Sequence, residues 1–370
     1  MRLLIVSTPM GPLGSGRGGG VELTAAALTA GLLERGHSVT VLAPAGSRLP
    51  PSCATARLWG AHGSPPPGAQ HQPRQAPVTL PADGVLAALW RQALLEQEAF
   101  DVVLNLAYDW LPLWLTPHLS TPLAHLVSMG SVNDAIDAVI AELAHGFGGR
   151  LAGRLAFHTS AQAADFALPT APVIVGNGFD LARYRFTPAA GGLVGMPEGL
   201  PLLGWAGRIA PEKGLEDAAA VAAHLAWPLA VWGLPEDPAY AQRVEASVPP
   251  GIMHWRGFLA TEALQAELGQ CAVLLNTPRW NEAYGNVVVE AMACGVPVAA
   301  YARGGPGELV QEGVTGALAA PDDREGLAAA VERALRVNRA DCRSWVERHA
   351  SQASFASRVE TWLDAVVSGT

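Results

Sequence analysis

Short apolar runs of strand length alternate with longer helical patterns along almost the whole chain. In the first half the strand runs are residues 3–7, 38–43, 101–106, 123–127, 155–159 and 173–175. Helical stretches at 21–35, 83–99 and 131–144 lie between them. Strands that are apolar without interruption, separated by helices, predict a parallel sheet covered on both faces. Asp83 and Ser131 stand where N-caps are expected, and Gly36 follows the first helix in the C′ position. From residue 201 the pattern restarts, with strand runs at 201–206, 229–232, 253–256, 272–276 and 297–301.

Two such halves predict an α/β protein of two Rossmann-like domains facing each other across a cleft, the first over residues 1–178 and the second over 201–350. Residues 179–200, rich in Gly and Pro, read as the linker. Residues 46–81, dense in Pro and small polar residues, read as a long loop on the first domain, with or without a short hairpin. A last helical stretch at 351–365 lies beyond the second sheet pattern.

Composition narrows the field. The chain has 370 residues, long for one core and comfortable as two. Its net charge of −9 argues against nucleic acid as a partner and against stable membrane association, because both rest on neutralising phosphates with Lys and Arg. Any phosphate must be held locally. Cys53, Cys271, Cys294 and Cys342 are scattered and form no CxxC pair, so neither a disulfide framework nor a zinc site is expected. The N-terminus enters an apolar strand directly, with no signal-peptide pattern, and no stretch nears about 18 uninterrupted apolar residues. The expectation is a soluble, cytoplasmic protein.

Gly14-Ser15-Gly16-Arg17-Gly18-Gly19 fits the dinucleotide fingerprint G-x-G-x-x-G, but its context does not. Residues 8–13 separate it from the strand, and the second strand run ends at Pro44 with no acid for a ribose. The better reading is a glycine-rich loop feeding a helix N-terminus, where backbone can approach a ligand and an anion is favoured. Arg17 and Glu22 are its candidate polar contacts.

Two further clusters carry chemistry. Directly after run 201–206 comes Gly207-Arg208-Ile209-Ala210-Pro211-Glu212-Lys213-Gly214, which sets a guanidinium and an ammonium at the carboxyl edge of a sheet. Lys213 is the only lysine beside 23 arginines. After run 272–276, Glu282 and Glu290 are separated by seven residues, with Gly285-Asn286 marking a turn into a buried helix at 287–294. The amides of 285–287 would then face a diphosphate or sugar hydroxyls. Two acids also suit a glycosidase, but hydrolysis of a glycoside has no phosphate leaving group and leaves Arg208 and Lys213 without purpose. Transfer from a sugar nucleotide needs both clusters.

The set Gly207-Arg208, Lys213-Gly214, Glu282, Glu290 with Ala291-Met292-Ala293-Cys294-Gly295-Val296-Pro297, and Gly304-Gly305-Pro306-Gly307-Glu308 resembles retaining glycosyltransferase family 4, with its two-Rossmann-domain GT-B fold. Residues 7–24, Ser7-Thr8-Pro9-Met10-Gly11-Pro12-Leu13 onward, are similar to the cyanobacterial UDP-glucose:tetrahydrobiopterin glucosyltransferases. The resemblance implies transfer of glucose from UDP-glucose to a small acceptor, with retention and without a metal or other cofactor; no Asp-x-Asp motif occurs. It implies that Arg208 and Lys213 hold the diphosphate, Glu282 the transferred sugar, Glu290 the ribose and Phe258 the base. His125 would lie near the sugar. Gly19, Gly20, Gly207, Ala283, Tyr284, Gly285, Asn286 and Val287 complete the donor contacts, and Arg17, Gly18, Glu22, Tyr108 and Asp109 the acceptor contacts. It also implies that the C-terminal helix, within 351–370, packs back on the first domain. A lipid acceptor would call for a basic amphipathic surface, yet stretch 21–35 carries only Arg35. A non-catalytic sugar-nucleotide binder would have no use for the full set of charged residues.

Overall fold

All ladders between described strands are parallel. The structure is a computed structural model and describes residues 1–16, 19–67, 72–146 and 151–369. One unit comprises Met1–Phe179 with Gln352–Thr370, and the other Asp180–Ser351. The first holds β1 (Arg2–Val6), β2 (Ser38–Pro44), β3 (Arg57–Ala61), β4 (Val102–Asn105), β5 (Leu123–Val127), β6 (Leu155–Phe157) and β7 (Val173–Ile174), in the order β3-β2-β1-β4-β5-β6-β7. The second holds β8 (Leu203–Ala206), β9 (Leu229–Trp232), β10 (Met253–Gly257), β11 (Val273–Asn276), β12 (Val298–Tyr301) and β13 (Gly316–Ala319), in the order β10-β9-β8-β11-β12-β13. Each order changes direction once, between β1 and β4 and between β8 and β11. The loops leaving those neighbouring strands part there, and ligands of such sheets bind in the gap at the carboxyl edge.

The unbroken apolar runs have a packing reason. Leu3 and Ile5 face a core shared with helices Gly20–Glu34 and Gln352–Ser368. Leu4 and Val6 point to the opposite face, against Leu89 and Trp90 of helix Val85–Glu96. With a side-chain period of two and both faces covered, every position of a central strand must be apolar. Helix Gly20–Glu34 ends as expected at Gly36, whose φ of +83° lets its N–H reach Leu33 O at 2.9 Å and that of His37 reach Leu32 O at 3.1 Å.

Several expectations are corrected. Helix Asp134–His145 is capped by Asn133, whose side chain accepts from the N–H groups of Ala135 and Ile136, and not by Ser131. Helix Val85–Glu96 starts after Gly84, because the Asp83 carbonyl is committed to Ser64 N–H at 3.0 Å. Among the described residues of 46–81 no hairpin forms; β3 adds to the sheet edge in parallel with β2. β13, which no apolar run marked, pairs with β12.

Residues 180–200, read as a linker, are bound into the second unit. Thr187 N–H donates to Cys294 O at 3.0 Å. Arg339 donates to the carbonyls of Thr187, Cys271 and Gly269, and Arg343 to that of Tyr184. Helix Gln352–Ser368 packs on helix Gly20–Glu34 within the first unit. A Cβ at Gly31 would stand 2.6 Å from Ala356 Cβ, so glycine sets the close approach. No helix among the described residues is long and apolar enough to cross a membrane.

Candidate active site

The second unit gathers its chemistry where β8 and β11 separate. The loop after β8 ends in a short turn, Pro211–Lys213, and Gly214 follows at φ +64°. A Cβ there would lie 2.1 Å from Thr277 O, so only glycine lets the loops after β8 and β11 touch. Thr277 Oγ1 donates to Gly214 O at 2.8 Å, and Arg279 N–H to Glu212 O at 2.8 Å. These contacts bring Lys213 to Glu282. Lys213 Nζ donates to both Glu282 carboxylate oxygens at 2.8 Å. Burial opposes ionisation of Glu282, but the Lys213 charge and hydrogen bond, with Trp280 and more distantly Arg208, outweigh it and hold this carboxyl below the usual range.

Arg208 adds a more distant positive charge to the same carboxyl but spends its hydrogen bonds elsewhere. Its Nη1 donates to Glu236 at 2.7 Å and its Nη2 to Glu212 at 2.9 Å. Burial would lower the guanidinium pKa, yet these two carboxylates raise it. Sequence reasoning did not single out either acid as a partner. Glu236 follows β9, and the rule that ligands gather at strand carboxyl ends was the signal that could have found it.

Gly285 turns the chain at φ +99° into helix Asn286–Ala293, whose start carries no side-chain cap. Ala283, Asn286 and Val287 are half-buried there, while Tyr284 and Gly285 are buried. Gly304 and Gly305 support this turn from below. Gly305 N–H donates to Glu282 O at 2.7 Å, and a Cβ on Gly305 would meet Tyr284 O at 2.1 Å. Gly207 is held by its N–H to Trp232 O at 3.1 Å. Phe258 stands 61% exposed beyond β10, free of the core.

Glu290, in the second turn of helix Asn286–Ala293, is buried and accepts from Tyr184 O–H at 3.2 Å. Burial pushes its carboxyl up to about 7, with the Tyr184 bond opposing. An acid raised from 4.5 in the folded state contributes stability that is full below about 4.5 and lost as pH rises through about 7. Glu290→Gln removes that loss. Its unfolding free energy should gain on wild type by on the order of 3 kcal/mol between pH 5 and pH 8, read as a relative rise in melting temperature. Parallel melting curves would refute the shift.

In the first unit the glycine-rich loop follows β1, and Tyr108 and Asp109 follow β4, its neighbour across the switch point. Arg17 and Gly18 lie outside the described residues. Gly19 adopts φ 59°, ψ −140°, a glycine conformation, directly before helix Gly20–Glu34; both Gly19 and Gly20 are exposed. Glu22, expected to touch the acceptor, is buried and braces this loop, accepting from Gly14 N–H at 2.7 Å and Gly16 N–H at 3.1 Å. Tyr108 O–H donates to Asp137 at 3.3 Å, and desolvation and that carboxylate push its phenol up. Asp109 precedes helix Trp110–Leu115, and burial raises its carboxyl.

His125 is a correction. It sits mid-strand in β5, 1% exposed. Its Nδ1 accepts from Asn105 Nδ2 at 3.1 Å. The Thr116 hydroxyl donates to Leu113 O at 2.7 Å, so the Nε2–H donates to Thr116 Oγ1 at 2.7 Å. Burial lowers its pKa to about 3. Both ring nitrogens are consumed inside the first unit, which makes His125 a core histidine.

Residues 200–336 match the family described as glycosyl transferases group 1. The chain is 34% identical over 171 residues to the 2-deoxystreptamine N-acetyl-D-glucosaminyltransferase of Streptomyces fradiae, which covers 44% of this chain and only 38% of that enzyme. It is 29% identical over 418 residues to the D-inositol 3-phosphate glycosyltransferase of Geodermatophilus obscurus, over 98% of this chain and 88% of the relative. Among solved structures, the sucrose-phosphate synthase of Thermosynechococcus elongatus matches over 100% of both chains with a TM-score of 0.77 at 19% identity. Anabaena HepE in complex with UDP-glucose matches over 99% of this chain and 100% of its own, with a TM-score of 0.72 at 18% identity. The two parallel-sheet domains share the GT-B fold of these solved structures. Within that fold, residues 200–336 are the part similar to the group 1 glycosyl transferases.

Proposed function

We propose that this protein transfers glucose from UDP-glucose to a small soluble acceptor, with retention of configuration and without a metal ion. The observation that carries the reading is the meeting of Lys213 and Glu282 at the β8/β11 switch point, with Arg208 beside them. Lys213 and Arg208 supply the charge that a departing diphosphate needs. Glu282 accepts from sugar hydroxyls, Glu290 from the ribose, and exposed Phe258 offers a face for the base. The start of helix Asn286–Ala293 adds its dipole to the phosphate side. The acceptor hydroxyl attacks C1 from the face that the diphosphate leaves. The C1–O bond to phosphate breaks as the new one forms, and the acceptor proton passes to a departing phosphate oxygen. The structure of HepE with UDP-glucose supports the donor choice.

The acceptor reading favoured by residues 7–24 is a reduced pterin, tetrahydrobiopterin. A cyclitol is the second reading, because the relatives above are named for 2-deoxystreptamine and D-inositol 3-phosphate. Incubating the enzyme with UDP-glucose and each acceptor, and reading product masses, separates the two. A hexose adduct on tetrahydrobiopterin supports the first and an adduct on a cyclitol the second. No adduct on any acceptor, with UDP still bound, identifies a sugar-nucleotide binder. Activity should be unchanged in excess EDTA; inhibition reversed by Mg²⁺ would contradict the metal-free mechanism.

A further inference from the structure

The indole of Trp280 touches both members of the central ion pair. Lys213 Nζ lies 4.9 Å from its ring centroid, and its Nε1–H donates to Glu282 Oε2 at 3.2 Å. The backbone that carries it is anchored just before the indole. Arg279 Nη2 pairs with Glu216 at 3.0 Å and Asp217 at 3.1 Å, and Arg303 Nη1 donates to Pro278 O at 2.9 Å. The backbone leading into Trp280 is therefore fixed independently of the pair that its side chain contacts.

This matters when the donor arrives. A diphosphate competes with Glu282 for the hydrogens of Lys213, and winning them strips a mostly buried carboxylate of its cation. The ring face is negative and repels phosphate, so the anion can take the ammonium's hydrogens without displacing the cation–π contact. The indole N–H lies two residues from Glu282 on the same loop and keeps its hydrogen bond after the ammonium has turned away. Resting on the donor reading above, we infer that Trp280 is a positioning residue: its ring keeps Lys213 aimed at the diphosphate, and its N–H keeps Glu282 aimed at the sugar.

The two functions separate by substitution. Trp280→Phe retains a ring and loses the N–H; Trp280→Leu loses both. UDP affinity is read by calorimetry and turnover by UDP release from UDP-glucose. In Trp280→Phe the affinity for UDP should hold, while kcat falls about tenfold, the range of one hydrogen bond to a charged group. Trp280→Leu should show the same loss of kcat and, in addition, UDP affinity weakened by about three- to thirtyfold. Equal UDP affinities in wild type and Trp280→Leu, or unchanged kcat in Trp280→Phe, would overturn the assignment. Melting curves accompany both. Should the Leu variant not fold, the Phe variant still decides through its split between kcat and UDP affinity. A wild-type protein that does not bind UDP would instead sink the donor reading itself.

Discussion

Lys213→Ala should lower the rate of sugar transfer about a hundredfold or more, the cost of removing one preorganised charge from a developing anion. Two losses combine. The diphosphate loses the ammonium that neutralises it as the C1–O bond breaks. Glu282, which now depends on Lys213 to remain ionised, is left with Trp280 and the more distant Arg208. Lys213→Arg should rescue little, because a larger planar guanidinium does not fit the mostly buried seat of a compact ammonium. Because Lys213 is the only lysine, a lysine-directed acylating reagent should inactivate the enzyme through this one side chain, and UDP should protect it. Wild-type turnover in Lys213→Ala would remove this residue from the mechanism.

Gly214→Ala should cost about 2–4 kcal/mol of stability, a large effect for one methyl group. The residue sits at φ +64°, where a Cβ is strained, and the added carbon would meet the Thr277 carbonyl at 2.1 Å. That oxygen is backbone at the end of β11 and cannot swing aside. Relief requires the loops after β8 and β11 to separate, which draws Lys213 away from Glu282. Chemical unfolding and UDP titration should therefore fall together. A variant with unchanged unfolding midpoint and UDP affinity would show that the two loops need no such contact.

Much of the site was legible because its residues are close in sequence and unusual in type. A lone lysine after Gly207-Arg208, and two glutamates flanking a glycine turn, announce phosphate and hydroxyl chemistry wherever the loops lie. His125 shows the limit. A histidine within a strand fits many roles, and only Asn105 and Thr116, brought from β4 and the turn Thr116–His118, show that its ring is spent. Glu22 repeats the lesson: its charge suggested a ligand contact, and its burial under residues 14–16 makes it a brace.

Sequence alone determined the two parallel sheets, the helix that Gly36 ends and the loops that carry Lys213 and Glu282. Strand and helix periodicity, and the demand that central strands be apolar on both faces, are local properties that every residue reports by itself. Tertiary structure decided the rest. β3 is an edge strand with one partner and needs no apolar run, and β13 is short and opens on Gly316, which lies against the Val298 carbonyl, where a Cβ would be 1.9 Å away. The partners of Arg208, the seat of Trp280 beneath Lys213 and the attachment of 180–200 to the second unit all join residues far apart in the chain. Such contacts depend on which loops the strand order brings together, and that order is set by the packing of whole elements rather than by any one of them.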